Sequence, residues 1–150
     1  VWARNSDNEW KKAIITGREK NEEKINVKIK FEHDASEGSY ILTVPQADQG
    51  EGTNDLKLRN VKEQSSFEEG ETVDDLIVLT HLHEPAILYT LETRYNRDII
   101  YTYTGPILIA INPFWRVPLY SNKILEEYRQ DGLKKVYDPD YTSTLPPHVY

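Results

Sequence analysis

The chain has 150 residues, with 18 Lys and Arg against 25 Asp and Glu and a formal net charge of -7, and its 10 Tyr, 3 Trp and 3 Phe exclude disorder throughout. It has 0 Cys, which excludes disulfide frameworks, thiolate zinc sites and cysteine nucleophiles. Because the acidic charge extends over both halves and the longest apolar run, Ile107–Ile111, is too short to span a bilayer, we expect neither a nucleic-acid partner nor a membrane span.

Residues 1–62 predict short strands separated by polar loops. Apolar and polar residues alternate strictly from Ile25 to Phe31, which is typical of a strand with one face in solvent. The predicted strands are Val1–Arg4, Trp10–Thr16, Ile25–Phe31, Ser39–Val44 and Asp55–Arg59. The breaks between them carry Gly17, Gly38, Pro45, Gly50 and Gly52. About five strands with regular turn signals predict a small antiparallel barrel.

Residues 63–72 are acidic and almost free of apolar side chains, which is typical of a solvated linker. We therefore predict a domain boundary there, between the barrel over 1–62 and a second region over 73–150. The chain has 0 Met, and we expect it to be a piece of a longer protein.

Two helices are predicted at the start of the second region. Thr72 and Asp75 have the spacing of a capping box, which predicts a short helix from Val73 to about Leu82. The pair Glu84–Pro85 opens the next helix, since Pro is favoured at the first helical position. The apolar face of this helix consists of Ile87, Leu88, Leu91 and Tyr95.

A hairpin and a third helix follow. The turn signal T-G-P at residues 104–106 separates the runs Ile99–Tyr103 and Ile107–Ile111. The second run is apolar on both faces, which is typical of a strand inside a larger sheet. Ser121–Gln130 predicts a helix, and the chain from Tyr137 onward is proline-rich and extended. The predicted fold class is an α+β fragment, in which a small antiparallel β-barrel is followed by helices and a hairpin that belong to a larger mixed α/β core.

The titratable residues predict no catalytic or metal centre. His81 and His83 would share one face of a strand as metal ligands, but they diverge on the predicted helix, so solvent-facing histidines are favoured. The adjacent carboxylates at 74–75 and 126–127 are explained as solvated helix faces. None of the patterns G-x-x-x-x-G-K-[ST], G-x-G-x-x-G and G-x-S-x-G occurs, so the chain lacks a triphosphate cradle and a nucleophile elbow.

The segment from Ile109 to Tyr120, I-A-I-N-P-F-W-R-V-P-L-Y, is the most informative part of the chain. A buried strand is predicted to end at Asn112, and Pro113 stops the ladder of backbone hydrogen bonds. The loop then displays amide, aromatic, guanidinium and phenol groups, which can hydrogen-bond to a purine or stack on it. From the residues alone, an ordinary strand-exit loop packed by Trp115 and Tyr120 is favoured.

In these residues the chain resembles the N-terminal part of a myosin motor domain. Residues 73–120 follow the family's pattern nearly without a gap, from V-D-D-L-I-V-L-T-H-L-H-E-P-A-I-L to Y-T-Y-T-G-P-I-L-I-A-I-N-P-F and on to Tyr120. The closing L-P-P-H-V-Y fits the family at the entrance of the helix that precedes its phosphate-binding loop. The resemblance covers about half of the chain, and residues 1–60 match the family only loosely.

The resemblance implies a small Src-homology-3-like barrel over 1–62 and the start of the motor core over 73–150. It also implies that the loop is the family's purine-binding loop beside the adenine of ATP, which makes adenine contact the favoured role. The residues carried over are Asn112, Pro113, Phe114, Arg116 and Tyr120. The family's phosphate-binding loop, its two switch segments and its main actin-binding surfaces come later in such chains than residues 1–150.

The implied function is that of an N-terminal fragment of an actin-based, ATP-driven motor in the cytoplasm, at the cytoskeleton. ATP with Mg²⁺ is the implied cofactor of the full motor, and this part is not expected to bind the Mg²⁺. The implied partners are the actin filament and, through parts of the parent chain outside residues 1–150, light chains or cargo. Alone, the fragment is expected to show no ATPase activity. The alternative is a stand-alone interaction module whose barrel binds a protein partner without catalysis.

Overall fold

The computed structural model describes residues 1–20, 24–32, 39–45, 55–60 and 72–150. The chain divides into two compact units, Val1–Phe67 with Thr80–Ala86, and Glu68–Leu79 with Ile87–Tyr150. The predicted α+β class is confirmed, because the described residues form a five-stranded antiparallel sheet, two α-helices and a separate hairpin. Within the same ranges, neither helix combines the length and the hydropathy that crossing a membrane requires.

The sheet belongs to the first unit, and its five strands lie where the sequence predicts them, with shifted ends. They are β1 (Trp2–Arg4), β2 (Trp10–Lys20), β3 (Lys24–Phe31), β4 (Tyr40–Pro45) and β5 (Leu56–Lys57). Their spatial order is β4-β3-β2-β1-β5, so among the described strands β4 and β5 lie at the two edges. Closure into a barrel, Src-homology-3-like or otherwise, stays a prediction. The limits of the predicted domains also stay a prediction, because residues 63–71 of the predicted linker lie outside the described residues.

The core of the first unit lies on one face of this sheet. Alternate residues of β3, which are Val27, Ile29 and Phe31, are buried there, while Lys30 between them is exposed. The remaining members of the buried cluster are Ala3, Ala13 and Leu56, from three other strands. The predicted alternation is therefore confirmed, and removal of this apolar face from water is the main stabilising contribution to the unit.

Strand β2 is longer than the sequence predicts. The prediction ended it at Thr16 because of Gly17, whereas the strand continues through this residue to Lys20. The pairing with β3 shifts register between Ile15 and Gly17, where β2 forms a bulge or irregularity opposite Lys28. Glycine inside a strand often marks such a bulge, because it adds no side chain where the ladder is disrupted. Gly17 therefore lies at a shift in register and does not end the strand.

Residues 80–86 belong to the first unit, and two polar side chains hold them there. Asn60 is buried, and its Oδ1 accepts a hydrogen bond from the backbone N–H of His81 at 2.7 Å, while its Nδ2 donates to the carbonyl of the same residue at 3.1 Å. His83 donates from Nε2 to the Leu58 carbonyl at 2.7 Å and accepts at Nδ1 from the Ala86 N–H at 3.4 Å. This loop is therefore fixed mainly by side chain to backbone hydrogen bonds.

The second unit contains the hairpin and most of the helical residues. Its elements are a 3₁₀ turn (Leu76–Val78), helix α1 (Glu84–Tyr95), whose first residues belong to the first unit, strands β6 (Tyr101–Thr104) and β7 (Ile107–Ala110), and helix α2 (Asn122–Tyr137). The predicted hairpin is confirmed, and Gly105 takes the positive φ of 60° that its tight turn requires. Among the described strands β7 pairs only with β6, and its Ile107 is exposed.

The helix predicted from Val73 to Leu82 is wrong. The segment holds only the 3₁₀ turn, and the N-cap is Asp75, whose carboxylate accepts from the N–H of Ile77 at 3.0 Å. The same Oδ1 accepts from the N–H of Gly105 at 3.0 Å, and the Asp74 carbonyl accepts from the N–H of Tyr103 at 2.8 Å. The segment is extended because its polar groups bond to the hairpin, and local helix propensity is overridden.

Both α-helices differ in part from their predictions. Helix α1 begins at Glu84 as predicted, but its buried positions are Pro85, Ala86, Thr90 and Arg94, while Leu88 of the predicted apolar face is exposed. Helix α2 begins after the N-cap Ser121 and continues past the predicted end at Gln130, and none of its residues is fully buried. Apolar spacing therefore located these helices, and it did not identify the face of α1 that is buried.

Arg94 is the central polar residue of the second unit. Its side chain is 1% exposed, and Nη1 lies 2.9 Å from the Val73 carbonyl, 2.8 Å from Asp74 Oδ1 and 3.2 Å from Thr72 Oγ1. Its Nη2 donates to the carbonyl of Tyr101 at 2.7 Å. One guanidinium therefore joins α1, the extended segment before the 3₁₀ turn and the first strand of the hairpin. Arginine suits this position because its planar fork offers several donors with fixed directions.

We predict that Arg94→Ala destabilises the second unit by about 3 kcal/mol, because buried carbonyls lose their donor and a cavity remains. Arg94→Lys should fall between the parent and the Ala variant, since an ammonium group cannot reach all four acceptors. The measurement is urea unfolding followed by the amide NMR signals of residues 87–150. Arg129→Ala is the matched control, because that guanidinium pairs with Glu126 on the exposed surface of α2. Equal midpoints for Arg94→Ala and this control would contradict the prediction.

We also predict that Asn60→Ala destabilises the first unit by about 2 kcal/mol, because both backbone groups of His81 lose their partner. Asn60→Asp keeps the acceptor and loses the donor, so it should also destabilise. Urea unfolding followed by the amide signals of residues 24–32 measures the effect. Asn26→Ala is the control, since it removes one hydrogen bond with Thr43 on the exposed face. If Asn60→Ala lowers the free energy of unfolding no more than Asn26→Ala does, the two hydrogen bonds between Asn60 and His81 do not stabilise the unit.

Candidate functional site

The loop that follows β7 begins with a local hydrogen bond. Ile111 donates its N–H to the carbonyl of Ile100 at 3.0 Å, which extends the hairpin pairing up to the residue before Asn112. The side chain of Asn112 then accepts at Oδ1 from the N–H of Phe114 at 2.9 Å. Phe114 has a φ of 61° and is 86% exposed. A non-glycine residue with positive φ and an exposed aromatic ring is unusual, and such positions concentrate at functional sites.

Residues at the end of α1 and just beyond it hold the first part of the loop. Tyr95 donates its hydroxyl to the carbonyl of Pro113 at 3.3 Å, and its ring meets that of Trp115 edge to face at 5.6 Å. The indole Nε1 of Trp115 donates to Asp98 Oδ1 at 3.1 Å. These contacts fix the backbone on either side of Phe114. The loop is therefore held in place although most of its side chains are exposed.

Arg116 is the cationic group of the loop. Its side chain is exposed, and within the described part of the chain it makes no hydrogen bond or ion pair. A guanidinium in this state can accept a flat partner on its face or pair with an anion through its donors. Because no protein contact occupies it in the described ranges, Arg116 is the residue of the loop most available to a ligand.

Tyr120 ends the loop and combines packing with exposure. Its hydroxyl lies 2.7 Å from the hydroxyl of Tyr101 on β6, and the ring is 53% exposed. Its ring also meets those of His148 and Tyr150 edge to face, at 5.8 and 6.4 Å. One edge of the phenol is therefore held by the protein, while the rest of the ring remains accessible.

Tyr101 differs from Tyr120 in being almost fully buried. Its burial, and then the hydrogen bond with Tyr120, raise the pKa of Tyr101 to about 12. Burial acts in this direction because it disfavours the charged phenolate. Tyr101 is therefore neutral at physiological pH, and its hydroxyl joins β6 to the end of the loop through the hydrogen bond with Tyr120.

The structure brings together only some of the residues that the sequence singled out. Asn112 and Phe114 are joined by one hydrogen bond, in which the Asn112 Oδ1 accepts from the Phe114 N–H. This oxygen is therefore used within the loop. Sequence reasoning missed Tyr95 and Asp98 as supports of the loop, and no spacing rule indicates them. It also gave no role to His148, and this residue lies among four tyrosine rings, which are those of Tyr101, Tyr120, Tyr128 and Tyr150.

The other candidate groups have structural partners. His81 and His83 precede the regular part of α1 and are half-buried, not solvent-facing, with rings stacked at 6.4 Å. Asp74 and Asp75 bond to Arg94 and to backbone groups and precede the 3₁₀ turn, so their interpretation as part of a helix face is wrong, whereas the Asp74 side chain is exposed as expected. Glu126 does lie on the exposed surface of a helix, where the hydrogen bonds from Arg129 lower its pKa to about 2. No group of three or more His, Cys, Asp or Glu in the described ranges is placed to hold a metal ion.

Comparison with known proteins assigns the family. Residues 73–150 match the family model of the myosin head, the motor domain. The chain belongs to the myosin head family. The resemblance found in the sequence is thereby confirmed, and the chain holds an amino-terminal part of a myosin motor domain. The loop from Asn112 to Tyr120 lies inside the matched region, whereas the five-stranded sheet precedes it.

Several curated relatives are similar over about half of the chain. Myosin-3 of Arabidopsis thaliana is 51% identical over 78 residues, which are 52% of this chain and 6% of that protein. Myosin-J heavy chain of Dictyostelium discoideum is 51% identical over 80 residues, 53% of this chain and 3% of its own length. Protein OPAQUE1 of Zea mays is 46% identical over 82 residues, 54% of this chain and 5% of its own length. The chain therefore spans only a few per cent of these relatives.

We predict that the folded chain loses stability at alkaline pH because of Tyr101. The pKa of Tyr101 is raised to about 12 in the folded chain, whereas that of a tyrosine in an unfolded chain is about 10. The stabilisation that comes from the neutral Tyr101 phenol is therefore fully present below a pH of about 10. This contribution should fall as the pH rises from about 10 to about 12.

Absorbance at 295 nm during a pH titration should therefore show one tyrosine that ionises last. Tyr101→Phe should remove this late step and flatten the pH dependence of the melting temperature above pH 10. Tyr137→Phe should leave both in place, because that ring is exposed. A late step that persists in the Tyr101→Phe variant would disprove the assignment.

Proposed function

We propose that residues 112–120 form the adenine-contacting part of the ATP site of an actin-based myosin motor. The observation that carries this proposal is the position of the loop within the region that matches the myosin motor domain. The structure supports it with a backbone fixed by Tyr95, Asp98 and Tyr101, from which an aromatic ring, a guanidinium and a phenol project outward. A fixed backbone with accessible flat groups is what recognition of a purine requires.

Arg116 and Tyr120 are the proposed contacts to the base. A guanidinium and a phenol ring both offer flat surfaces on which adenine can stack, and both carry donors for its edge. The ring of Phe114 is a third exposed flat group, and hydrogen bonds at Asn112 and Pro113 hold the backbone that carries it. In this proposal the Oδ1 of Asn112 accepts from the Phe114 N–H within the loop, and the Nδ2 hydrogens of Asn112 are the ones that contact the base.

The phosphates and Mg²⁺ are proposed to be held by segments outside residues 1–150. The chain has no G-x-x-x-x-G-K-[ST] pattern, and in the described ranges no cluster of acidic residues suits a divalent cation. In this proposal the loop residues contact only the base of ATP. When bound in the full motor, Mg²⁺ would neutralise charge on the phosphates, away from this loop.

The pairing of the hairpin strands also supports the proposal. Strand β7 has only β6 as a partner among the described strands and exposes Ile107, so we propose that it pairs with further strands of the motor core. Actin, light chains and cargo are proposed partners of the full motor, with a cytoskeletal location. In this proposal they bind parts of the motor outside residues 1–150.

We predict that Arg116→Ala in the full-length motor raises KM for ATP about tenfold to a hundredfold with little change in kcat. The reason is that a contact to the base is the same in the ground state and the transition state, and one stacking or hydrogen-bonding contact is worth roughly 1 to 3 kcal/mol. The measurement is steady-state ATPase activity over a range of ATP concentrations. Arg129→Ala serves as the control, because it removes an exposed arginine that pairs within α2.

Two further comparisons make this test specific. Tyr120→Phe keeps the ring and loses the hydroxyl pair, so it should affect affinity less than Tyr120→Ala. Arg116→Ala should narrow the preference for ATP over a triphosphate with another base, while the affinity for inorganic triphosphate stays unchanged. If KM is unchanged and only the melting temperature falls, Arg116 and Tyr120 merely pack the end of the strand.

A further inference from the structure

His148 lies at the centre of an aromatic cluster that the loop shares with three other parts of the second unit. Its side chain is buried, with 5% of the residue exposed. Its ring centroid lies 5.3 Å from Tyr101 on β6 and 4.8 Å from Tyr128 on α2. It lies 5.8 Å from Tyr120 of the loop and 4.6 Å from Tyr150. The imidazole therefore packs against rings from β6, from α2, from the end of the loop and from the segment after Pro147.

Both ring nitrogens of His148 are occupied, and their partners fix its tautomer. Nε2 lies 3.0 Å from the carbonyl of Leu119, which can only accept, so this nitrogen carries the hydrogen. Nδ1 accepts from the backbone N–H of Tyr150 at 3.2 Å. The ring therefore joins the backbone of the loop to the backbone of the segment after Pro147.

The hydrogen bond to Leu119 acts on the residue immediately before Tyr120. No helix or strand holds the backbone at this point, because β7 ends at Ala110 and α2 begins at Asn122. At the other end of the loop Tyr95 and Trp115 supply the contacts, so the backbone near Tyr120 depends on His148 and on the Tyr101 hydroxyl. Loss of the imidazole would leave the Leu119 carbonyl without its donor.

We infer that His148 is a positioning residue for the adenine contact of Tyr120, an inference that rests on the proposed function. It acts through the Leu119 carbonyl and through its edge contact with the phenol ring, and it does not touch the base. The segment of Pro147–Tyr150 is thereby coupled to the loop. A displacement of this segment would shift Tyr120, and base binding would in turn hold the segment in place.

The test compares two substitutions that separate ring packing from hydrogen bonding. His148→Phe keeps a flat ring among the tyrosines and loses both hydrogen bonds. His148→Gln loses the ring, but its amide nitrogen takes the position of Nε2 and can donate to Leu119. Arg129→Ala is again the control for a change outside the cluster.

Two measurements are made on each variant. The first is hydrogen exchange of the amides of residues 112–120 in this chain without nucleotide, compared with the amides of α1. The second is the dependence of the ATPase rate on ATP concentration in the full-length motor. We expect His148→Phe to speed exchange in the loop about tenfold and to raise KM about three- to tenfold with kcat unchanged, since of the two hydrogen bonds lost only the one to the Leu119 carbonyl acts on the loop. For His148→Gln, the exchange rate of the loop and the KM should both lie close to those of the parent protein.

The outcomes distinguish this inference from the proposed function. If Arg116→Ala raises KM while His148→Phe changes neither loop exchange nor KM, the positioning role is wrong and the adenine site stands. If His148→Phe speeds loop exchange and His148→Gln restores it, but no variant changes KM, His148 positions the loop and the adenine site is wrong. Faster exchange throughout the second unit in both His148 variants would overturn the positioning role, because it would indicate a general loss of stability.

Discussion

The second unit of the chain depends on one buried guanidinium. From α1, Arg94 bonds to backbone and side-chain oxygens of two other stretches of chain, residues 72–74 and the start of β6. Burying a charge is costly unless its donors are satisfied, so the acceptors around Arg94 must be held in place together. The guanidinium therefore couples the end of α1, the extended residues 72–74 and the start of β6 into one arrangement.

This arrangement places the supports of the candidate site. The end of α1 carries Tyr95 and is followed by Asp98, which hold the first part of the loop, and β6 carries Tyr101, which holds its end. Because Arg94 fixes α1 against β6, it also fixes the distance between these supports. The loop itself can then leave Phe114 and Arg116 exposed without losing its conformation. Its rigidity comes from groups beneath it, and its exposed groups remain available for a ligand.

Local patterns predicted elements well where a single physical signal dominated. Alternation in β3, the turn around Gly105 and the Pro near the start of α1 each reflect a short-range constraint on the backbone, and each prediction is confirmed. The prediction of a helix over 73–82 is wrong because Asp74 and Asp75 bond to Arg94 and to the hairpin, which are distant in sequence. For the same reason the buried side of α1 carries a charged residue, which an apolar pattern cannot indicate.

The sequence by itself determined the fold class, the family and the loop of interest, because strand alternation, turn chemistry and the N-P-F-W-R-V-P-L-Y segment are all local. Only the tertiary structure decided how that loop is held. Tyr95, Asp98 and His148 reach it from other elements, and His148 in particular has no signal in its own neighbourhood along the chain. The physical reason is that hydrogen bonds and ring contacts between distant residues depend on chain geometry, which spacing along a sequence does not encode.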